Sequence, residues 1–148
     1  MAASNPLVDQ GTLNRLRGSV IWNDLPQFNV TAPFLGPEAL RLALEGESVV
    51  YLPTLTGAVT SPEPYQMISL TINLLKTQSL ADAYKRRWES NSLMGACVVR
   101  PDAVALSPYQ LINCSIKNCR ELSFAGTDAI YAITIGGYVA VNQDLFSF

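Results

Sequence analysis

The chain has no histidine among its 148 residues. That absence removes the commonest general base, the Ser-His and Cys-His nucleophile pairs, and most zinc sites. Charge is scarce as well: Asp, Glu, Lys and Arg make up 15% of the residues, against about 25% in ordinary soluble domains. The net charge of −2 is too small to call for a nucleic-acid or acidic-membrane partner. No run approaches the roughly 18 uninterrupted apolar residues of a bilayer span, so no membrane insertion is expected. The start, MAASNPLVDQGTLNRLRG, has no apolar core of the kind a signal peptide needs, and the expected setting is intracellular. The matches Asn29-Val-Thr31 and Asn113-Cys-Ser115 are then chance glycosylation patterns. No Walker loop is present, and Gly136-Gly137 lacks the spacing of a dinucleotide fingerprint. Cys97, Cys114 and Cys119 form no zinc pattern; they read as small buried apolar residues of a reducing compartment. The twelve acids contain no pair that the sequence singles out. No cofactor, no metal and no catalytic activity are expected.

What is present is apolar. Hydrophobic residues reach 49%, which excludes disorder and leaves too much for the inside of one small domain. A lone soluble monomer rarely tolerates such a surface, whereas an obligate oligomer needs it. A single domain over 1–148 accommodates this composition.

Short strands between turn signals dominate the chain. Arg15–Trp22 reads as a strand, Asn23-Asp24-Leu25-Pro26 as a turn, and Phe28–Ala32 as a second strand broken by Phe34-Leu35-Gly36-Pro37. In Leu40–Glu45 the residues Leu40, Leu42 and Leu44 share one face, while Arg41, Ala43 and Glu45 take the other. The segment from 46 to 63 is rich in Val, Thr and Leu and reads as a hairpin or extended loop that expects a cover. A helix is predicted over 80–90, with Ser79 as its cap, an apolar stripe of Leu80, Ala83, Tyr84 and Trp88, and ion pairs Asp82–Arg86 and Lys85–Glu89. Lys85-Arg86-Arg87 is then a solvated helix face.

One pattern occurs twice. SPEPYQMISLTI (61–72) and LSPYQLINCSI (106–116) both place Pro-Tyr-Gln before an alternating apolar run, 44 positions apart. The alignment puts Ile112, Cys114 and Ile116 on the same face as Ile68, Leu70 and Ile72. Tyr65, Gln66, Tyr109 and Gln110 carry no chemistry that a reaction needs, so the repeat reads as architecture: two equivalent strands of one curled sheet. Strands at Ala96–Arg100, Arg120–Ala125 and Ala129–Asn142 follow from the same reading, with Gly136-Gly137 marking a bulge or a close backbone approach. The fold class is therefore mainly β (α+β): a rolled antiparallel β-barrel or sandwich with one packed helix.

Several stretches carry a family resemblance, in one order along nearly the whole chain. They are Asp9–Arg17 (DQGTLNRLR), Phe28–Gly36 (FNVTAPFLG), Thr56–Met67 (TGAVTSPEPYQM), Leu74–Asn91 (LLKTQSLADAYKRRWESN) and Arg120–Ala129 (RELSFAGTDA). In them the chain resembles tail tube proteins of contractile-tailed bacteriophages, whose fold is shared in outline with the ring protein of type VI secretion. The resemblance implies a virion subunit that closes six-membered rings with copies of itself and stacks them into a hollow tube. The tube conducts DNA without specific binding, and sheath, baseplate and tail terminator proteins are its other partners. Under that resemblance, Val50, Tyr51, Leu52 and Leu55 are the candidate arm reaching the next ring. Residues 1–12 are an extended N-terminal arm, and Glu45 and Glu47 are candidate lumen-facing acids. A conduit for DNA should carry little positive charge inside; Arg41, of the same parity as Glu45, runs against that assignment. Two alternatives stand beside the tube subunit. One is a single-ring terminator or baseplate protein; the other, of a different class, is a small β-barrel binding an apolar ligand or carbohydrate through Trp22, Phe28, Tyr131 and Tyr138.

Overall fold

The computed structural model describes residues 8, 10–11, 13, 18–101, 105–119 and 122–146. The expected N-terminal arm, the Arg15–Arg17 end of the first strand and the Arg120–Glu121 start of another strand lie largely or wholly outside them.

Eight strands and one α-helix are found among the described residues: β1 (Ser19–Trp22), β2 (Leu35–Glu45), β3 (Val49–Pro53), β4 (Ala58–Pro62), β5 (Tyr65–Leu75), α1 (Ser79–Ser90), β6 (Leu93–Arg100), β7 (Tyr109–Cys119) and β8 (Ile130–Ala140). Six form one antiparallel sheet in the order β1-β6-β7-β8-β5-β2, while β3 and β4 pair as a separate hairpin. The sheet curls into a half-barrel, as the mainly β reading requires.

Alternation explains the core. Along β5, Ile68, Leu70, Ile72 and Leu74 all point to the inner face and are at most 2% exposed. Ile133 and Ile135 of β8, Cys114 and Ile116 of β7, Cys97 and Val99 of β6, and Val20 and Trp22 of β1 complete that layer. Helix α1 buries Leu80, Ala81 and Tyr84 on the same side. Tyr84 is wholly buried; its hydroxyl donates to the Phe28 carbonyl at 2.6 Å and accepts from Trp22 Nε1 at 2.9 Å. The Phe28 and Tyr84 rings meet edge to face with centroids 5.2 Å apart. One phenol thus ties the helix to β1 and to the turn that follows it.

The two Pro-Tyr-Gln strands do flank a common partner. β5 pairs with β8 in unbroken register from Tyr65↔Ala140 to Leu75↔Ile130, and β7 pairs with the other side of β8. Their equivalence fails at Ile112, however. Asn113 has φ +53, and three steps on β7 (Ile112 to Ser115) match two on β8 (Tyr138 to Gly136). This one-residue bulge reverses the parity of everything before it. Leu111 therefore fills the core at 1% exposure, and Ile112 points outward at 38%.

Other expectations are corrected too. Phe28–Ala32 is no strand: Pro26–Phe28 and Ala32–Phe34 are single 3-10 turns, and only Val30 bridges to Val20. A proline at the start of each turn fixes a helical φ and supplies no ladder donor. Gly36-Pro37 does not end a strand; β2 runs through it with a wide irregularity, Leu35↔Leu74 being followed by Leu40↔Ile72, and with Ala39 at φ +51. The helix cap is Gln78, without a side-chain bond, and Ser79 is the first helical residue. Trp88 leaves the apolar stripe and is 43% exposed. No strand occupies the described part of Arg120–Ala125. Both helix ion pairs are present, Arg86 Nε to Asp82 Oδ2 at 2.9 Å and Lys85 Nζ to Glu89 Oε1 at 3.7 Å.

Candidate functional site: an uncovered hairpin and the outer sheet face

The β3–β4 hairpin follows from its composition. Val, Tyr, Thr and Leu favour strand, and Thr54-Leu-Thr-Gly57 closes the turn, with the Thr54 amide donating to the Gly57 carbonyl at 2.8 Å. Pairing runs from Val49↔Pro62 to Pro53↔Ala58. Directly opposed residues share a face, so Val50, Leu52 and Val59 lie on one side and Tyr51 and Thr60 on the other. Neither side is covered. Tyr51 is 67% exposed and Leu55, at the turn, completely so; Val50, Leu52 and Val59 are exposed as well. Beyond its base the hairpin has no substantial packing against any other element of the described chain. A two-stranded ribbon with no hydrophobic layer is marginal in water, and the described residues provide no surface to cover this one.

The base is held instead by polar contacts. Asn142, in the left-handed region at φ +52, donates through Nδ2 to the Glu63 carbonyl at 2.8 Å and to the Ser48 carbonyl at 3.3 Å. The Glu63 amide donates to Ser48 O at 2.8 Å, and Gln66 Nε2 to Gly46 O at 3.1 Å. Gln66, at the entrance of β5, thus has an architectural role. Asn142 was missed; an Asn just after a long strand is a weak signal on its own.

Cross-strand register builds the outer face of the sheet in rows. One row runs Glu45, Met67, Tyr138, Ile112, and the next runs Ala43, Ser69, Gly136, Ser115. A third places Arg41, Thr71, Thr134 and Asn118 together. Hydroxyl and small side chains thus fill the middle, with apolar and aromatic ones toward the hairpin end, where Tyr65 and Tyr138 are 5.5 Å apart. Lys117 occupies the second bulge of β7, between Ile116↔Ile135 and Asn118↔Thr134. Its stem crosses Gly136, where an added Cβ would lie 2.6 Å from Lys117 Cδ. Its ammonium ends 3.9 Å from Glu45 Oε1. The absent side chain at Gly136 therefore makes room for a lysine lying flat across the sheet. At Gly137 an added Cβ would meet Cys114 Sγ at 2.9 Å and the Ile112 carbonyl at 3.2 Å, the close backbone approach that the Gly-Gly pair predicted.

The two candidate acids separate. Glu45 stands on the outer face with Arg41 and Lys117, whereas Glu47 lies in the exposed connection between β2 and β3. The aromatic residues of the ligand-binding alternative do not converge either. Trp22 and Phe28 are core, Tyr131 is partly buried on the inner side near α1, and Tyr138 is on the outer face. Cys97 and Cys114 are buried free thiols with sulfurs 3.9 Å apart; hydrogen bonding to Cys114, then burial, pushes the Cys97 thiol up. Among the described residues no group of three or more Cys, Asp or Glu could hold a metal, and no helix is long and apolar enough to cross a membrane.

One further feature is an open groove of about 860 Å³ between the two ends of the curled sheet, bounded by β2 on one side and by β6 and β7 on the other.

The chain matches no protein-family model and no curated protein. Three solved chains match it. Among them is the cap of the anti-feeding prophage, described as the tube terminating cap, similar over 95% of both chains at 13% identity and a TM-score of 0.47. The likeness is one of outline. At that identity no residue correspondence passes from the cap to this chain.

Proposed function

We propose that the protein is a structural, non-catalytic subunit of a phage tail tube, closing rings of six that stack into a conduit for DNA. The observation that carries this reading is the uncovered hairpin. Its apolar residues on both faces are unstable as they stand and are satisfied when copies assemble. The eleven-residue edge strand β2 supports it further, since its free backbone groups form a template for a neighbour's strand. The tube, rather than some other assembly, comes from the sequence resemblance along the chain.

On this reading the outer sheet face lines the channel. Small hydroxyl residues, with Lys117 turned toward Glu45, offer passing phosphates few fixed cations, and DNA slides rather than binds. Sheath, baseplate and terminator proteins are the remaining partners, and the virion tail is the location. The test is negative-stain electron microscopy of concentrated protein, alone and seeded with baseplates. Tubes support the proposal; single rings that never stack turn it into a terminator; a monomer that baseplates fail to nucleate ends it. Tyr51→Asp should shorten the tubes or lower their yield, and unchanged tubes would remove the arm role.

A further inference from the structure

The Asn113 bulge also resets β7 against its other neighbour, β6. The register Val99↔Tyr109, Val98↔Gln110, Cys97↔Leu111 would, if continued, set Cys114 opposite Met94. Instead three steps on β7 (Leu111 to Cys114) match two on β6 (Cys97 to Gly95), so Cys114 opposes Gly95. It thereby becomes the diagonal neighbour of Cys97 on the inner face, a pair close enough for side chains to meet. The two sulfurs lie 3.9 Å apart, neither is in a disulfide, and both residues are 1% exposed.

Glycines flank Cys114 on both neighbouring strands. Gly95 opposes it on β6, and an added Cβ at Gly137 of β8 would lie 2.9 Å from its sulfur. Burial alone asks only for a small apolar residue at each position and does not aim one thiol at another.

From this juxtaposition we infer that Cys97 and Cys114 are a redox pair, closing to an intramolecular disulfide that staples β6 to β7 when the protein meets an oxidising thiol–disulfide pool. The inference is independent of the tube reading. Closure brings the sulfurs from 3.9 Å to about 2.0 Å, a movement shared by rotation of both side chains. Hydrogen bonding with Cys97 pulls the Cys114 thiol down against the effect of burial, which makes Cys114 the attacking sulfur. With a small disulfide RSSR as oxidant, the Cys114 thiolate attacks one sulfur and releases the first RS⁻. Cys97 then loses its proton and displaces the second RS⁻. The protein keeps one S–S bond, and two RSH leave with its two protons and two electrons. Both thiols are closed off in the folded sheet, so the first attack waits on local opening of β6–β7. In a reducing cytoplasm the pair stays open; in an oxidising medium it closes.

The test exposes folded protein, without denaturant, to oxidised glutathione, blocks the remaining thiols with N-ethylmaleimide and digests with trypsin. Cleavage after Arg87 and Lys117, with Pro101 protecting Arg100, leaves both cysteines in peptide 88–117 and Cys119 in peptide 118–120. Peptide 88–117 should be unblocked and lighter by two hydrogens. The closed protein should melt about 6–12 °C above the reduced one, as for a closed loop of roughly 15 residues in a domain of this length, and dithiothreitol should abolish the shift. Cys97→Ala should show no oxidation-dependent shift, and the peptide measurement on the native chain stands without that variant. Two blocked thiols in 88–117 after exhaustive oxidation would overturn the pair. So would a glutathione adduct that persists on either cysteine, or a bond that forms without raising the midpoint.

Discussion

Replacing Tyr84 by Phe removes a single oxygen from the middle of the protein, and its cost can be worked from three atoms. The hydroxyl is wholly buried, donates to Phe28 O at 2.6 Å and accepts from Trp22 Nε1 at 2.9 Å. Its loss leaves a carbonyl and an indole N–H unpaired where water does not reach. Each such orphan costs about 1–3 kcal/mol, and partial relaxation brings the pair to roughly 2–4 kcal/mol. At about 2–4 °C per kcal/mol for a domain of this length, the melting midpoint should fall roughly 4–16 °C. Circular dichroism gives the midpoint, and Trp22 emission reports the same site. In a Trp22→Phe background the same change orphans only the carbonyl, so its cost should drop by about half. Alkaline pH supplies an independent check. Burial raises the Tyr84 phenol above its ordinary value of 10.0, so its contribution is complete below that pH. It is lost as pH rises beyond 10, because the unfolded chain ionises first. The gap between the native protein and Tyr84→Phe should therefore narrow above pH 10. A midpoint shift under about 2 °C, or a gap independent of pH, refutes the bridge as a stabilising element.

Three more outcomes follow from the sheet and its hairpin. Gly137→Ala should cost about 1–3 kcal/mol by denaturant unfolding, since its Cβ meets Cys114 Sγ and the Ile112 backbone. Gly136→Ala should stay within about 0.5 kcal/mol because only the flexible Lys117 stem must move, and the reverse order would contradict the packing described. Asn142→Ala should raise amide exchange in 49–62 about fivefold, with β5 and β8 unaffected; a change confined to the C-terminal segment would show that Asn142 does not hold the hairpin. Reversing Glu45 to Lys should leave stability unchanged, an exposed pair being worth about 0–1 kcal/mol, yet on the tube proposal it should slow DNA ejection. Ejection at the native rate would remove Glu45 from the proposed channel wall.

What could be read from the sequence was whatever depends on near neighbours. The alternation of Ile68 to Leu74, the ion pairs at i and i+4, and the hairpin at 46–63 all follow from local period and turn chemistry. What could not be read depends on a single backbone angle or on distant partners. Asn113 in the left-handed region shifts one strand by one residue, and no periodicity reveals it until β8 lies alongside. The prolines at 26 and 33 outweighed the β-forming Phe28 and Val30. Tyr84 was visible as a core residue of the helix, whereas its bonds to Trp22 and Phe28, 62 and 56 positions away, were not. For the candidate site, the uncharged character of 48–62 was legible, and the exposure of both its faces was not.

The place of β8 has a consequence for the order of events in the cell. It follows the other seven strands along the chain, yet it sits between β5 and β7 and pairs with both. Until residues 130–140 leave the ribosome, the two halves of the sheet have nothing to join them, and two long edges stand open. Such non-local closure is slow compared with helix formation. At about 5–20 residues per second, synthesis exposes these edges for several seconds. Protection of the nascent chain, rather than stability of the finished one, then sets how much of it reaches the folded state.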